Sequence, residues 1–469
     1  MLFSSFEFYL FFFAVFLCHR LAPGRYRWLV LLLASYLFYY RWTPWFPLVL
    51  IFCTLSTWVV VLRMVRTTGE RGRKTLLVLG LAVNLIPLII LKYSAFLLGG
   101  IGDALFLRHE LLLPVGISFY SFTAMSYCID TYRGVIEAEK HPGIFALSLA
   151  FFPKLISGPI ERGKNLLPQL RSETAIDSSR VVSGIQLVVW GIFKKMVLAD
   201  RLAMYVDMVF SHPQDYWGWT ILIAVWLFAL QIYCDFSAYM DMAIGCGRVF
   251  GIELSANFNF PYMAGSVMEF WQRWHITLTS WFRDYLYVPL GGNRVPASRW
   301  VVNILLVFLL SGLWHGAAWT FVCWGGLHGL LYLAGKWTWT GRERLKDFLN
   351  IRGKPAKVMQ VVITFNLVAL AWIFFRAQSL SDAFCLISHM VVNLHLPVRM
   401  MSSQFSTAVS FCCGLFFLLS ELVLFWEQKH GEPMAAVLPV SCKIIVAVLG
   451  LLTISLFGVS SHEFIYFHF

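Results

Sequence analysis

Apolar residues in this chain do not alternate with polar ones; they run in long blocks separated by short charged loops. The first blocks cover residues 3–17, 28–42, 47–62, 76–98 and 112–130. Runs of this length, with almost no charge inside them, predict helices that cross a membrane. The loops HRLAPGRYR (19–27) and RMVRTTGERGRK (63–74) are strongly basic. Basic loops stay in the cytoplasm, so the N-terminus is expected outside. The stretch 145–163 is too short and too broken by Pro and Gly for a plain span. It predicts a re-entrant or cytoplasm-lining element, tolerable only where protein covers its backbone.

Further blocks lie at 181–210, 218–234, the run ending at 314, 317–335, 358–375, 405–426 and 441–459, with another basic loop at 336–357. Alternation then gives about eleven spans with both ends outside. The fold class expected is an all-α polytopic membrane bundle, with residues 1–469 as one integral-membrane domain and 460–469 as an external aromatic tail. The opening apolar run lacks a basic leader and a small-residue cleavage site, and reads as a retained first helix.

Composition agrees. The chain is 59% hydrophobic and only 13% charged, against about a quarter charged in soluble domains. The net charge of +12 follows from basic cytoplasmic loops and implies no nucleic-acid partner; the surrounding partner is membrane lipid. Ten cysteines without a CxxC pair predict buried thiols, with neither a disulfide framework nor a metal site.

The candidate chemistry is concentrated between Glu269 and Gly316. His275 and His315 sit there among tryptophans and small residues. Imidazole is the side chain best suited to moving protons near neutral pH, and an ionisable group in a membrane segment marks a functional site. As one amphipathic helix, 269–288 puts His275 on a face with Trp271, Thr279 and Phe282, with Trp274 on the aromatic side and Glu269 and Arg273 as an i,i+4 pair. A polar rim position on an interfacial helix explains His275 equally well. His315 follows fifteen mostly apolar residues and is flanked by Gly312 and Gly316, which allow close approach of backbone or substrate. His328 reads as structural. Asp235 and Asp241 fit either a proton or cation pathway in a transporter, or a structural role as helix caps or in pairs with Arg248 and Arg283, the structural role being favoured. There is no P-loop, HExxH or G-x-S-x-G elbow, and the glycines at 245–251 lack dinucleotide-site spacing.

Five blocks carry a resemblance. WQRWHITLTSWFRDYLYVPLGGNR (271–294), SGLWHG (311–316), YCDFSAYMDMAIGCGRVFGI (233–252), LPVGISFYSF (113–122) and FFPKLISGPIERG (151–163) resemble the membrane-bound O-acyltransferase family, most closely its bacterial alginate and peptidoglycan O-acetylation branch. The resemblance implies a helical bundle around a central tunnel, acyl donor entering from the cytoplasm and acceptor from outside. It implies catalytic roles for His315 and His275, and a tunnel lined by Trp274, Trp314, Asp235, Ser237, Arg283 and Asp284. The tail is similar to an FxYxxF ending, in which Tyr466 would carry the acyl group. The same likeness implies acetyl-CoA as donor, with D-alanyl transfer from a carrier protein as the alternative. It also implies a periplasmic SGNH-hydrolase-like partner, a polysaccharide acceptor and residence in the bacterial inner membrane.

Overall fold

The computed structural model describes residues 1–99, 113–172, 177–348, 350–431, 440–459 and 464–465. Every regular element among the described residues is helical. Helices close their backbone hydrogen bonds internally, which a chain this apolar requires where water is absent. Seven of these helices are long and apolar enough to cross a membrane: Phe46–Arg66, Glu70–Leu97, Ser178–Phe210, Trp219–Val249, Ala297–His315, Lys354–Arg376 and Gln404–His430.

The expected count of about eleven is not reached among the described residues. The blocks at 3–17, 28–42 and 112–130 form helices Phe6–Leu21, Arg27–Tyr40 and Ile117–Tyr132, of 16, 14 and 16 residues. Each is shorter than the roughly 20 residues a span needs. The blocks at 3–17 and 28–42 are themselves only 15 residues long, and at 112–130 the helix begins only at Ile117.

The chain divides into two compact units. The first comprises Met1–Trp190 with Tyr239–Ala256. At its centre lies the proposed re-entrant stretch, as two short helices, Pro142–Ala150 and Phe152–Leu155, and a loop. Every residue from 151 to 162 is buried. Its backbone is satisfied from within the unit: Phe152 N–H donates to Ser35 Oγ at 3.0 Å and Ser157 N–H to the Tyr239 hydroxyl at 3.4 Å. Such covering is what lets a Pro- and Gly-broken segment lie inside a membrane protein.

The second unit comprises Gly191–Ala238 with Asn257–Ile465. Trp274, Trp324 and Trp372 are among its largest fully buried side chains. Trp372 stacks on Trp324 at 5.4 Å and lies 5.1 Å from Trp274. Beside them Ala297–His315 and Trp319–Trp337 form a tight hairpin. A Cβ on Gly312 would lie 2.2 Å from the Phe321 carbonyl oxygen, and one on Gly325 would lie 2.3 Å from that of Phe308. Only glycine permits this backbone approach, the close approach expected at Gly312.

Candidate active site

The site lies within the second unit and begins with a break in a helix. The pattern predicted one amphipathic helix through His275. Instead two seven-residue helices, Val267–Arg273 and Ile276–Phe282, meet at His275, whose φ of 43° is left-handed. Such a backbone is costly for a residue with a Cβ and persists only when its surroundings enforce it. Asn257 enforces it here. Its carbonyl accepts the Ile276 N–H at 3.0 Å, and its Oδ1 accepts the Thr277 N–H at 2.9 Å and the Thr277 hydroxyl at 2.7 Å. The expected Glu269–Arg273 pair is present at 2.8 Å.

The break turns His275 inward. It is 0% exposed, which removes the reading of a rim residue. Its Nδ1 lies 3.4 Å from Asn257 Oδ1. Because that oxygen also accepts a backbone N–H, it is an acceptor, so Nδ1 carries the proton and Nε2 is the basic nitrogen. Burial pushes the pKa of the ring down to about 3, and the group is a neutral imidazole at physiological pH.

His315 ends the Ala297–His315 helix and is buried. Three aromatic rings meet it nearly edge-on: Trp314 and Trp324 at 5.0 Å each and Phe375 at 5.3 Å. Trp314 also lies 6.0 Å from His275, so one indole neighbours both imidazoles. Gly316 completes the turn, since a Cβ there would come within 2.2 Å of the Phe321 ring. His328 is structural, as expected: its Nδ1 accepts from Trp271 Nε1 at 3.3 Å. The indole N–H of Trp324, beside His315, is buried and meets no acceptor among the described residues. An orphaned buried donor costs about 1–3 kcal/mol, and a bound water or ligand acceptor would satisfy it.

The remaining predicted residues divide into three groups. Trp274 and Trp314 belong to the aromatic core. Arg283 and Asp284 pair with each other at 2.8 Å on an exposed surface. Asp235 pairs with neither arginine proposed for it: Arg248 goes to Glu253 and Arg283 to Asp284. It accepts instead from Lys195 Nζ at 2.8 Å, and the same ammonium meets Asp200 at 2.9 Å. Lys194 donates to Ser237 Oγ at 2.8 Å. Both lysines lie in a π-helical turn, Lys194–Ala199. The other Asp235 oxygen accepts the Ile465 N–H at 2.8 Å, and Lys195 sits 4.6 Å over the Phe464 ring. The chain end next to Tyr466 is thus held on a buried charge cluster; Tyr466 itself lies outside the described residues. Sequence reasoning missed Asn257 and Trp324. An asparagine inside the aromatic run 256–260 was the one available signal for the first; nothing separated Trp324 from the other eighteen tryptophans.

Comparison with known proteins gives the family. The family model for MBOAT, the membrane-bound O-acyltransferase family, matches residues 138–346, a range that includes both histidines. The probable alginate O-acetylase AlgI of Pseudomonas aeruginosa is 39% identical over 82% of this chain and 73% of its own length. The peptidoglycan O-acetyltransferase of Helicobacter pylori is 34% identical over 78% of this chain and 73% of its own. The teichoic acid D-alanyltransferase of Streptococcus thermophilus is 26% identical over 66% and 77%.

Proposed function

The chain belongs to the membrane-bound O-acyltransferase family, and from that premise we propose that it takes acetyl from acetyl-CoA at the cytoplasmic face of the bacterial inner membrane and passes it outward for O-acetylation of a cell-envelope polysaccharide. The observation that carries this reading is the pair of buried imidazoles, His275 and His315, on one shared indole in a water-poor aromatic core. Acetyl is favoured over D-alanyl because the O-acetylating relatives are 34–39% identical and the D-alanylating ones 24–26%.

In the proposed step His315 takes the proton from an acceptor hydroxyl as its oxygen bonds to the thioester carbonyl carbon. The C–S bond then breaks, and the imidazolium returns the proton to the departing thiolate. His275, neutral and fixed by Asn257, supports the donor side. The unpartnered Trp324 N–H supplies a donor to the oxyanion of the tetrahedral intermediate. Tyr466 is the proposed first acceptor. A phenol, with pKa about 10, leaves more readily than a sugar alkoxide, so acetyl-tyrosine stays an active ester. A periplasmic SGNH-hydrolase-like partner would collect it, both termini then lying on the periplasmic side. Anchoring of Phe464 and Ile465 on Lys195 and Asp235 supports a fixed position for the chain end.

The test is peptide mapping by mass spectrometry of protein purified with acetyl-CoA, in wild type and His315→Ala. An acetyl adduct on Tyr466 that is absent from the variant is expected. An unmodified tail in an enzyme that still acetylates its polymer overturns the relay. Undiminished acetylation by a folded His315→Ala overturns the base.

A further inference from the structure

The first unit contains a cavity of about 460 Å³ that the transfer reading does not use. This lies within the roughly 300–1,000 Å³ of small-molecule sites. Its wall includes His19, Arg25, Arg27, Trp28, His141 and Arg171. Glu139 is the one carboxylate in that wall, and it is engaged: its Oε2 accepts from Arg171 Nε at 2.6 Å and its Oε1 from the His141 N–H at 2.8 Å. The guanidiniums of Arg25 and Arg27 therefore leave the cavity positive.

Two nitrogens in this wall define what it accepts. Arg27 Nε is buried and has no partner among the described residues. It is a donor only, so its ligand must supply an acceptor. His19 is 3% exposed, its ring stands edge-on to Phe250 at 5.2 Å, and its Nδ1 is likewise without a partner among the described residues. A neutral imidazole with the proton on Nδ1 gives a second donor. Trp28 adds a fixed aromatic ring: it meets His141 edge-on at 4.8 Å and is wedged against Gly143, where a Cβ would approach it to 2.3 Å. Forked guanidiniums with a further N–H donor and an aromatic plate are the elements that recognise phosphate attached to a flat or extended group.

We propose that this cavity is a binding site for a phosphate-bearing ligand, held through Arg25, Arg27 and His19. The chemistry is shared by two sources, the phosphates of a coenzyme A-type nucleotide and the headgroup of an anionic phospholipid. Arg25 and Arg27 lie on a basic loop that charge assigns to the cytoplasm, a side where both sources exist. The site does not depend on the transfer reading, because binding is measured without turnover.

The full chain, reconstituted in nanodiscs of phosphatidylcholine, is titrated with coenzyme A. In parallel, native mass spectrometry scores phosphatidylglycerol retained when that lipid is included. Arg25→Gln and Arg27→Gln should weaken the bound ligand by about tenfold each, and Arg27→Lys, which keeps the charge but loses Nε, should fall between. Loss of coenzyme A affinity identifies the nucleotide; unchanged coenzyme A binding with loss of retained phosphatidylglycerol identifies the lipid. If neither ligand distinguishes wild type from variants that elute as folded protein, the site is overturned, even in an active acyltransferase. Arg25 is exposed, so its variant carries the test if Arg27→Gln does not fold.

Discussion

Replacing Gly312 by alanine asks whether the spacing of one helix hairpin sets the position of His315. The new Cβ would lie 2.2 Å from the Phe321 carbonyl oxygen and 3.2 Å from Gly325 Cα, against ordinary contact from 3.4 Å. The methyl therefore lacks about 1.2 Å of room, and the obstacle is backbone, which cannot turn aside as a side chain can. Overpacking of this kind costs about 1–3 kcal/mol. The intrinsic helix preference of alanine returns at most about 1 kcal/mol, so the net effect is destabilising. If the hairpin opens instead, the helix end carrying His315 moves by about an ångström, and a misplacement of that size costs on the order of 10²-fold in rate. The control is Gly326→Ala, whose Cβ would meet only Leu309 Cδ2 at an ordinary 3.4 Å. Both variants would be assayed for transfer of radiolabelled acetyl in proteoliposomes and for thermal unfolding in detergent. Gly312→Ala should lose about two orders of magnitude of activity while Gly326→Ala matches wild type. Equal activity and melting temperature in the two would refute the reasoning.

Three other perturbations follow from the site. Trp324→Phe removes the orphaned indole N–H and shrinks the ring, so turnover should fall by about 10²-fold when assayed well below the unfolding temperature; a folded variant with wild-type turnover removes Trp324 from catalysis. His275 has its pKa pushed from 6.5 to about 3 in the folded state, so its stabilising contribution is complete above pH 6.5 and is lost as pH falls towards 3. The unfolded chain gains the proton first, at about 1.4 kcal/mol per pH unit; wild type should therefore lose more stability than His275→Gln between pH 7 and pH 5, and parallel losses in unfolding titrations would contradict this. Asp235→Ala removes the acceptor for the Ile465 N–H but leaves Lys195 its Asp200 partner. It should cost about 1–3 kcal/mol and speed trimming of the C-terminus by carboxypeptidase, and an unchanged trimming rate would show that the cluster does not hold the tail.

The parts of this molecule legible in the sequence are those governed by local pattern. The apolar blocks located most helices, Gly312 announced a close approach, and the broken, irregular course of 145–163 followed from its length and its prolines. The two histidines stood out because imidazole is rare in such surroundings. What pattern could not give was partnership across the chain. The backbone turn at His275 is imposed by Asn257, eighteen residues away, and no periodicity encodes it. Asp235 was matched with Arg248 and Arg283 on charge alone, and nothing in the pattern singled out its partner, Lys195, forty residues earlier. The helices Phe6–Leu21, Arg27–Tyr40 and Ile117–Tyr132 have 14–16 residues, just under the length of a span, a margin that an apolar run by itself does not resolve.

The π-helical turn at Lys194–Ala199 has a consequence for how this protein tolerates length changes. A π turn accommodates one residue more than the α-helix would, and that residue rotates everything after it by about 100° relative to what precedes it. Lys195 reaches Asp200 and Asp235 from within this widened turn. Deleting a single residue there would restore a regular helix yet swing the ammonium off its carboxylates, whereas the same deletion in an exposed loop would change little. Insertions and deletions, more than substitutions, should therefore be the changes that this segment refuses.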